Sequence, residues 1–157
     1  VGLMEICRFE ETRIYRERIV PTLYNAAREI ADFFLLLKER FKDGQFVTLP
    51  GTFDSNWQSS DGWSCITGNA QVEFFLRRMF RYTKDPVLKS AADLLMDDLK
   101  RLHLMDDVDD PNLFGGLPGS YPIDEYCPYG IPNWGVKFFA DALLQRLIPK
   151  EQQKRLG

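Results

Sequence analysis

Apolar residues recur at three- and four-residue intervals in four stretches of the chain, which is the pattern of helices that bury one side. We expect Pro21 in the first turn of the first helix, because proline lacks the N–H that would be unpaired there, and Gly44 just after its end. A separate helix over residues 10–19 is expected to precede it. The first stripe consists of Leu23, Ala27, Ile30, Phe34, Leu37 and Phe41.

The second and third stripes are close enough in sequence to form a helical hairpin. The second, from Val72 to Phe80, predicts a helix that begins near Thr67 or Asn69 and closes around Thr83. The third helix begins at Asp85-Pro86, where the carboxylate accepts from unpaired amides and proline suits the first position. A short link between two helices implies antiparallel neighbours. The third stripe consists of Leu88, Ala91, Ala92, Leu95, Leu99 and Leu102.

The last stripe predicts a helix with Asn133 as its N-cap that stops at Pro149, followed by a frayed tail over residues 150–157. Residues 45–49 could form a short strand or hairpin arm, and no other segment alternates convincingly between apolar and polar positions. The predicted fold class is therefore all-α, built from antiparallel α-hairpins. The last stripe consists of Phe138, Phe139, Ala142, Leu143 and Leu147.

Long loops rich in Gly, Trp, Tyr and Asn connect these helices, namely the first loop (residues 54–71) and the second loop (residues 115–137). Loops of this length are uncommon in compact domains unless they are functional or disordered, and these are too aromatic for disorder. Both precede a predicted helix, so we expect them to form one common rim. That rim is the candidate ligand face.

Composition supports one domain over the whole chain, since 157 residues with 45% hydrophobic side chains can form a core. The net charge of -3 comes from interspersed charges, which disfavours nucleic acid as a partner. The longest apolar run, residues 33–37, is too short to span a membrane. The three cysteines, Cys7, Cys65 and Cys127, are far apart and favour reduced thiols in a cytoplasmic protein. Because the first residue is Val1 rather than Met, we expect either that the chain is the C-terminal part of a larger protein or that it starts after processing.

Two sequence features resemble the α/α-toroid superfamily, which includes six-hairpin glycosidases, sugar epimerases, terpenoid cyclases and protein prenyltransferases. One is a pair of segments around the first loop. The segment after the first predicted helix reads Lys42-Asp43-Gly44-Gln45-Phe46, and the segment that opens the next helix reads Thr67-Gly68-Asn69-Ala70-Gln71. The other is residues 115–122 together with Pro132-Asn133-Trp134, which is similar to the closing segment of bacterial toroid proteins linked to polysaccharide gene neighbourhoods. The resemblance implies an arc of a toroid, whose uncovered helix faces a partner chain or a missing N-terminal segment would cover.

The loops favour a saccharide or other small-molecule ligand, because aromatic planes stack on sugar faces while carboxylates and amides bond hydroxyl groups. If the domain is a glycoside hydrolase, it needs two carboxylates about 5 to 10 Å apart, and Asp61 with Glu125 is the preferred pair. Either residue could instead be a capping or solvated carboxylate. The candidate contacts are Asp54, Trp57, Trp63, Asn69, Gln71, Tyr121, Tyr126, Tyr129, Asn133 and Trp134.

Two alternatives remain open. The first is a non-catalytic interaction or assembly domain whose loops only close the helical array. The second is a terpenoid cyclase or prenyltransferase-like domain, since Gly115-Gly116-Leu117 followed by Glu125 and Cys127 resembles a zinc-binding segment, although no histidine follows to complete it. His103, the chain's one histidine, is expected to be exposed or to cap a helix. The sequence predicts no metal and no cofactor.

Overall fold

The computed structural model describes residues 13–41, 47–105, 109–123, 125 and 130–147, with side chains described from residue 16 onward. These residues form four helices and a two-stranded antiparallel ladder. Within this part of the chain, no helix is both long and apolar enough to span a bilayer. The elements in chain order are α1 (Arg13–Arg40), β1 (Ser64–Cys65), α2 (Ile66–Thr83), α3 (Pro86–Leu102), β2 (Ser120–Tyr121) and α4 (Asn133–Leu147).

The first helix differs from its prediction, because α1 runs unbroken through Pro21 and no separate helix ends near Ile19. Proline removes the hydrogen bond to the carbonyl of Glu17, one turn earlier. Both residues are exposed, so water can satisfy that carbonyl. The neighbouring carbonyl, that of Arg18, accepts a bond from the Thr22 hydroxyl at 3.1 Å.

The predicted hairpin of the second and third helices is confirmed. Helix α2 ends at Thr83, Lys84 follows in the left-handed conformation with φ of 61°, and α3 begins at Pro86. Asp85 is the N-cap of α3, and its side chain accepts from the Val87 amide at 2.9 Å. The two helices therefore pack side by side after a two-residue turn.

The core lies where α2 contacts all three other helices. Phe34 of α1, Leu76 of α2 and Leu95 of α3 are fully buried, and Phe139 of α4 is almost so. Each occupies a position that the three- and four-residue spacing assigned to a buried stripe. Of the segment 45–49, where a short strand was possible, the described residues 47–49 form none; Val47 and Leu49 are buried and Thr48 is half-buried. Gly44, Pro149 and the tail lie outside the described residues.

A buried charged network, which the apolar spacing did not indicate, joins α2, α3 and α4. Glu73 is fully buried, and one of its carboxylate oxygens lies 3.4 Å from Arg77 and 3.3 Å from Arg146. Both guanidinium groups also contact Asp93, at 2.5 Å and 3.1 Å. Burial raises the pKa of the Glu73 carboxyl, and the two arginines offset this only in part.

Asp85 also joins α1 to α3, because it accepts from Arg28 at 2.9 Å and from the Tyr24 hydroxyl at 2.8 Å. Burial alone would raise the pKa of its carboxyl, but the bonds from Arg28, the Val87 amide and Tyr24 outweigh burial and lower it. A carboxyl whose pKa is lowered on folding stabilises the fold above its unfolded pKa, and that stability is lost as the pH falls.

Asp85→Asn should therefore be less stable than the wild type at pH 7, by about 1 kcal/mol, while keeping an N-cap residue. The difference should shrink as the pH falls below about 5 and vanish once the folded-state carboxyl is protonated. Urea denaturation of both proteins across this range measures it. The control is Asp97→Asn, since the Asp97 side chain is 62% exposed. If the difference in the free energy of unfolding between wild type and Asp85→Asn stays constant down to the lowest pH, the Asp85 charge does not stabilise the fold.

Candidate functional site

The first and second loops meet at the ladder formed by β1 and β2. Ser64 pairs with Tyr121 and Cys65 with Ser120 in antiparallel register. The amide of Ile66, the first residue of α2, extends the contact by donating to the carbonyl of Gly119 at 3.1 Å. The ladder therefore brings residues about 55 positions apart in sequence to one place at the start of α2.

Asn69 fixes the segment that precedes the first loop against this ladder. Its amide oxygen accepts from the Leu49 N–H at 2.8 Å, and its amide nitrogen donates to the carbonyls of Leu49 and Cys65 at 3.1 and 2.8 Å. The amide nitrogen also lies 3.1 Å from the Ser64 hydroxyl oxygen. The side chain is 2% exposed. Its polar atoms are thus bonded within the protein rather than presented to a ligand.

The start of α2 also differs in detail from its prediction. The N-cap is Cys65, whose Sγ accepts from the Gly68 amide at 3.4 Å, so neither Thr67 nor Asn69 caps the helix. Asp61 does not cap it either. Asn69 is the fourth residue of α2, and its side-chain amide bonds Leu49 and Cys65 instead.

A groove of about 400 Å³ lies beside the ladder, and we call it the Trp63 groove. Residues from α1, from the segment after it and from both loops form its walls. Asp61 and Trp63 come from the first loop and Tyr121 from the second, so one predicted catalytic residue and two predicted ligand contacts share this groove. Its lining includes Phe41, Thr48, Pro50, Asp61, Trp63 and Tyr121.

Trp63 takes its position from Gly51. A Cβ atom at residue 51 would lie only 2.5 to 2.8 Å from three carbon atoms of the indole ring, so the ring covers a site that only glycine leaves open. The Gly51 amide also donates to the Trp63 carbonyl at 3.0 Å. The benzo part of the indole therefore packs against Gly51, and Trp63 is half-buried in the wall of the groove.

Asp61 supplies the charge in the Trp63 groove. One of its carboxylate oxygens accepts from the Thr52 hydroxyl at 2.6 Å, and its own amide donates to Ser59 at 3.1 Å. These bonds orient the carboxylate without neutralising it. The groove can thus offer a hydrogen-bond acceptor beside two aromatic rings.

Compared with known proteins, the chain matches no family model, no curated protein and no solved structure. The function of the groove is therefore inferred from the geometry of the chain itself.

A second depression, the Phe53 cleft, adjoins the Trp63 groove at Pro50. It consists of two connected parts of about 490 and 530 Å³ that share Leu49, Gly51, Phe53 and Val72. Four predicted contacts line it: Asn69 and Gln71 in one part, Asp54 and Trp57 in the other.

Trp57 is held in the Phe53 cleft by aromatic contacts and a tight turn. Its ring stacks on Phe33 of α1 at 5.8 Å and meets the Phe53 ring edge-on at 5.4 Å. Its φ of 58° is unusual for a tryptophan, and the Asp54 carboxylate closes the turn by accepting from the amides of Asn56 and Gln58, each at 2.8 Å. Trp57 therefore anchors the first loop on α1 as well as lining the cleft.

The other predicted site residues that the structure describes line neither depression. Glu125 is exposed and is not among the described residues that line either depression, so its pairing with Asp61 stays a prediction. Asn133 and Trp134, at the start of α4, are also exposed, and Trp134 is 52% accessible. Tyr126 and Tyr129 lie outside the described residues.

Sequence reasoning missed the middle of the site, which is the segment between α1 and the first loop. Thr48, Pro50 and Phe53 line the depressions, yet this segment has neither helical spacing nor an obvious motif. Phe41 ends the first apolar stripe in the sequence, but in the structure it is 46% exposed beside the groove instead of buried. The pair Pro50-Gly51 is the one feature that could have marked a turn here.

Other candidate chemistry has little structural support. In the described part of the chain, no three His, Cys, Asp or Glu side chains are grouped as metal ligands would be. Cys65 is a free thiol, while Cys7 and Cys127 lie outside the described residues. His103 is the C-cap residue of α3, and its ring bonds the Gly115 carbonyl at 3.1 Å. Lys137 and Asp141, one turn apart on α4, form an ion pair at 2.5 Å.

Proposed function

We propose that this chain is a saccharide-binding domain of the α/α-toroid type, and that the Trp63 groove is its binding site. The observation that carries the proposal is the grouping of Asp61, Trp63 and Tyr121, drawn from both loops, around one groove. The proposal adds no catalytic step, because Glu125 is not among the described residues that line this groove.

The groove has the chemistry that sugar recognition requires. A sugar ring has an apolar face, which stacks on aromatic planes, and a rim of hydroxyl groups, which need directed hydrogen-bond partners. Trp63, Tyr121 and Phe41 supply aromatic surface, and Tyr121 is 42% exposed. The Asp61 carboxylate and the Thr48 hydroxyl are available beside them. A volume of about 400 Å³ is in the range of small-molecule sites.

Asp61→Asn and Trp63→Ala should each weaken binding of the tightest-binding sugar in an oligosaccharide panel, by about tenfold or more for Trp63→Ala. The asparagine keeps the shape of Asp61 but loses its charge, while the alanine removes the stacking surface. Isothermal titration calorimetry measures both effects, and circular dichroism checks the fold.

The matched controls are Phe114→Ala and Asp97→Asn. Phe114 is an exposed aromatic residue, Asp97 is an exposed acid on α3, and neither lines the groove. Both should bind like the wild type. If folded Asp61→Asn and Trp63→Ala proteins also bind like the wild type, the groove is not the site.

A second candidate function, an interaction or assembly domain, is favoured by the outer side of α4. Leu144 and Leu147, one turn apart near the end of α4, are 57% and 75% exposed, and Trp134 at the start of the same helix is 52% exposed. Apolar side chains grouped on one helix face are typical of a surface that another chain covers. Failure of every oligosaccharide in the panel to bind the wild type would favour this candidate.

A further inference from the structure

The charged residues that the structure describes along the Trp63 groove and the Phe53 cleft all have the same sign. Among the described lining residues they are Glu29, Asp54 and Asp61, and none is Lys or Arg. The chain as a whole has 20 basic and 23 acidic residues, so an all-acidic lining does not simply repeat its composition.

None of these three carboxylates forms an ion pair with another described residue. The Thr52 hydroxyl donates to Asp61, and two backbone amides donate to Asp54. Neutral donors orient a carboxylate but leave its net charge in place. Carboxylates of this kind create a negative potential along a concave surface.

Cations near the lining are already paired. The Lys137 ammonium lies 4.4 Å from the centre of the Phe138 ring, which lines the Phe53 cleft, but Asp141 holds it at 2.5 Å. Arg28, beside Glu29 in sequence, is bonded to Asp32 and Asp85. Neither cation is placed to neutralise the carboxylates of the lining.

We infer that this site selects oligosaccharides that carry amino groups over neutral ones, and neutral ones over acidic ones. The inference rests on the proposed function and specifies its ligand class. An ammonium group on a sugar gains attraction from the lining carboxylates, whereas a uronic-acid carboxylate is repelled. Aromatic stacking is common to all three classes, so charge decides among them.

The length of the depressions adds a second expectation. The Trp63 groove adjoins the Phe53 cleft at Pro50, and both contain a carboxylate near aromatic surface, Asp61 with Trp63 and Asp54 with Trp57. A single sugar can occupy only one of these places. An oligomer can occupy both places and gains binding free energy from each, while it loses translational and rotational freedom only once. A tetramer should therefore bind more tightly than a monomer.

The test compares three tetramers of similar size: β-linked glucosamine, its β-linked N-acetylated form and α-linked galacturonic acid. Titration calorimetry at pH about 5.5 keeps the amino sugar protonated and carboxylates of ordinary pKa ionised. We expect the glucosamine tetramer to bind roughly three- to tenfold more tightly than the N-acetylated one, with the galacturonate weakest. The preference should shrink when the salt concentration is raised from about 0.02 to about 0.5 M.

Three variants test whether the preference for glucosamine comes from the lining carboxylates or from the net charge of the protein. Asp61→Asn and Glu29→Gln should each reduce the glucosamine preference, while Asp97→Asn, which changes net charge equally outside the lining, should leave it intact. An N-acetylated tetramer that binds as tightly as the glucosamine tetramer overturns the inference and leaves the proposed function standing. Failure of all three tetramers to bind overturns both.

Discussion

Replacing Glu73 with alanine is expected to lower the free energy of unfolding by about 3–5 kcal/mol, the usual cost of removing one partner from a buried ion pair. Glu73 is fully buried and contacts Arg77 of α2 and Arg146 of α4. Its removal leaves both guanidinium groups with only Asp93 to balance them, and Asp93 also pairs with Lys89. Urea denaturation followed by circular dichroism measures the loss.

Glu73→Gln separates the charge of the side chain from its volume. Glutamine fills the same space and can still accept from an arginine, and burial already favours the neutral form of the Glu73 carboxyl by raising its pKa. We therefore expect a smaller loss, about 1–2 kcal/mol. Asp97→Ala on the exposed side of α3 should cost less than about 0.5 kcal/mol. Equal stability of Glu73→Ala and Asp97→Ala would contradict a structural role for the network.

The helices could be predicted because their stripes repeat locally, and local spacing is what a sequence shows most directly. The hairpin of α2 and α3 follows from Asp85-Pro86 and a short link alone. The Glu73 network could not be predicted in this way, because its partners come from three helices and the charged positions follow no apolar spacing. The prediction that a helix begins near Pro21 was wrong. In a sequence, a proline at an exposed site inside a helix cannot be distinguished from a proline in the first turn of a helix.

The candidate site could be predicted only in part, for a related reason. Aromatic and acidic residues in long loops indicated Asp61, Trp63 and Tyr121, and the ladder of β1 with β2 places them around one groove. That ladder is only two residues long in each strand, too short for a period-two pattern to reveal it. Asn69 was chosen by residue type, but an asparagine that bonds a ligand and one that bonds backbone have the same sequence signature.

Asn69→Leu is expected to destabilise the fold by about 2–5 kcal/mol, because it leaves the Leu49 N–H and the Cys65 carbonyl without the partner that Asn69 provides. The Leu49 carbonyl loses the Asn69 bond but keeps the one from the Ser64 hydroxyl. Each buried group that loses its hydrogen bond costs about 1–3 kcal/mol. Leu49 is 3% exposed, so water cannot easily replace the amide there. Urea denaturation measures the loss of stability.

Asn69→Asp is the sharper variant, because aspartate has the same shape and can still accept from the Leu49 N–H. It cannot donate, so a carboxylate oxygen would face the carbonyl oxygens of Leu49 and Cys65 in place of the amide nitrogen. We expect stability to fall at pH 7 and to recover in part as the pH is lowered, because a protonated carboxyl can donate one hydrogen bond. Asn56→Asp in the exposed turn provides the control. If Asn69→Asp is as stable as the wild type at pH 7, Asn69 does not hold Leu49 against β1, and its side chain becomes available to a ligand after all.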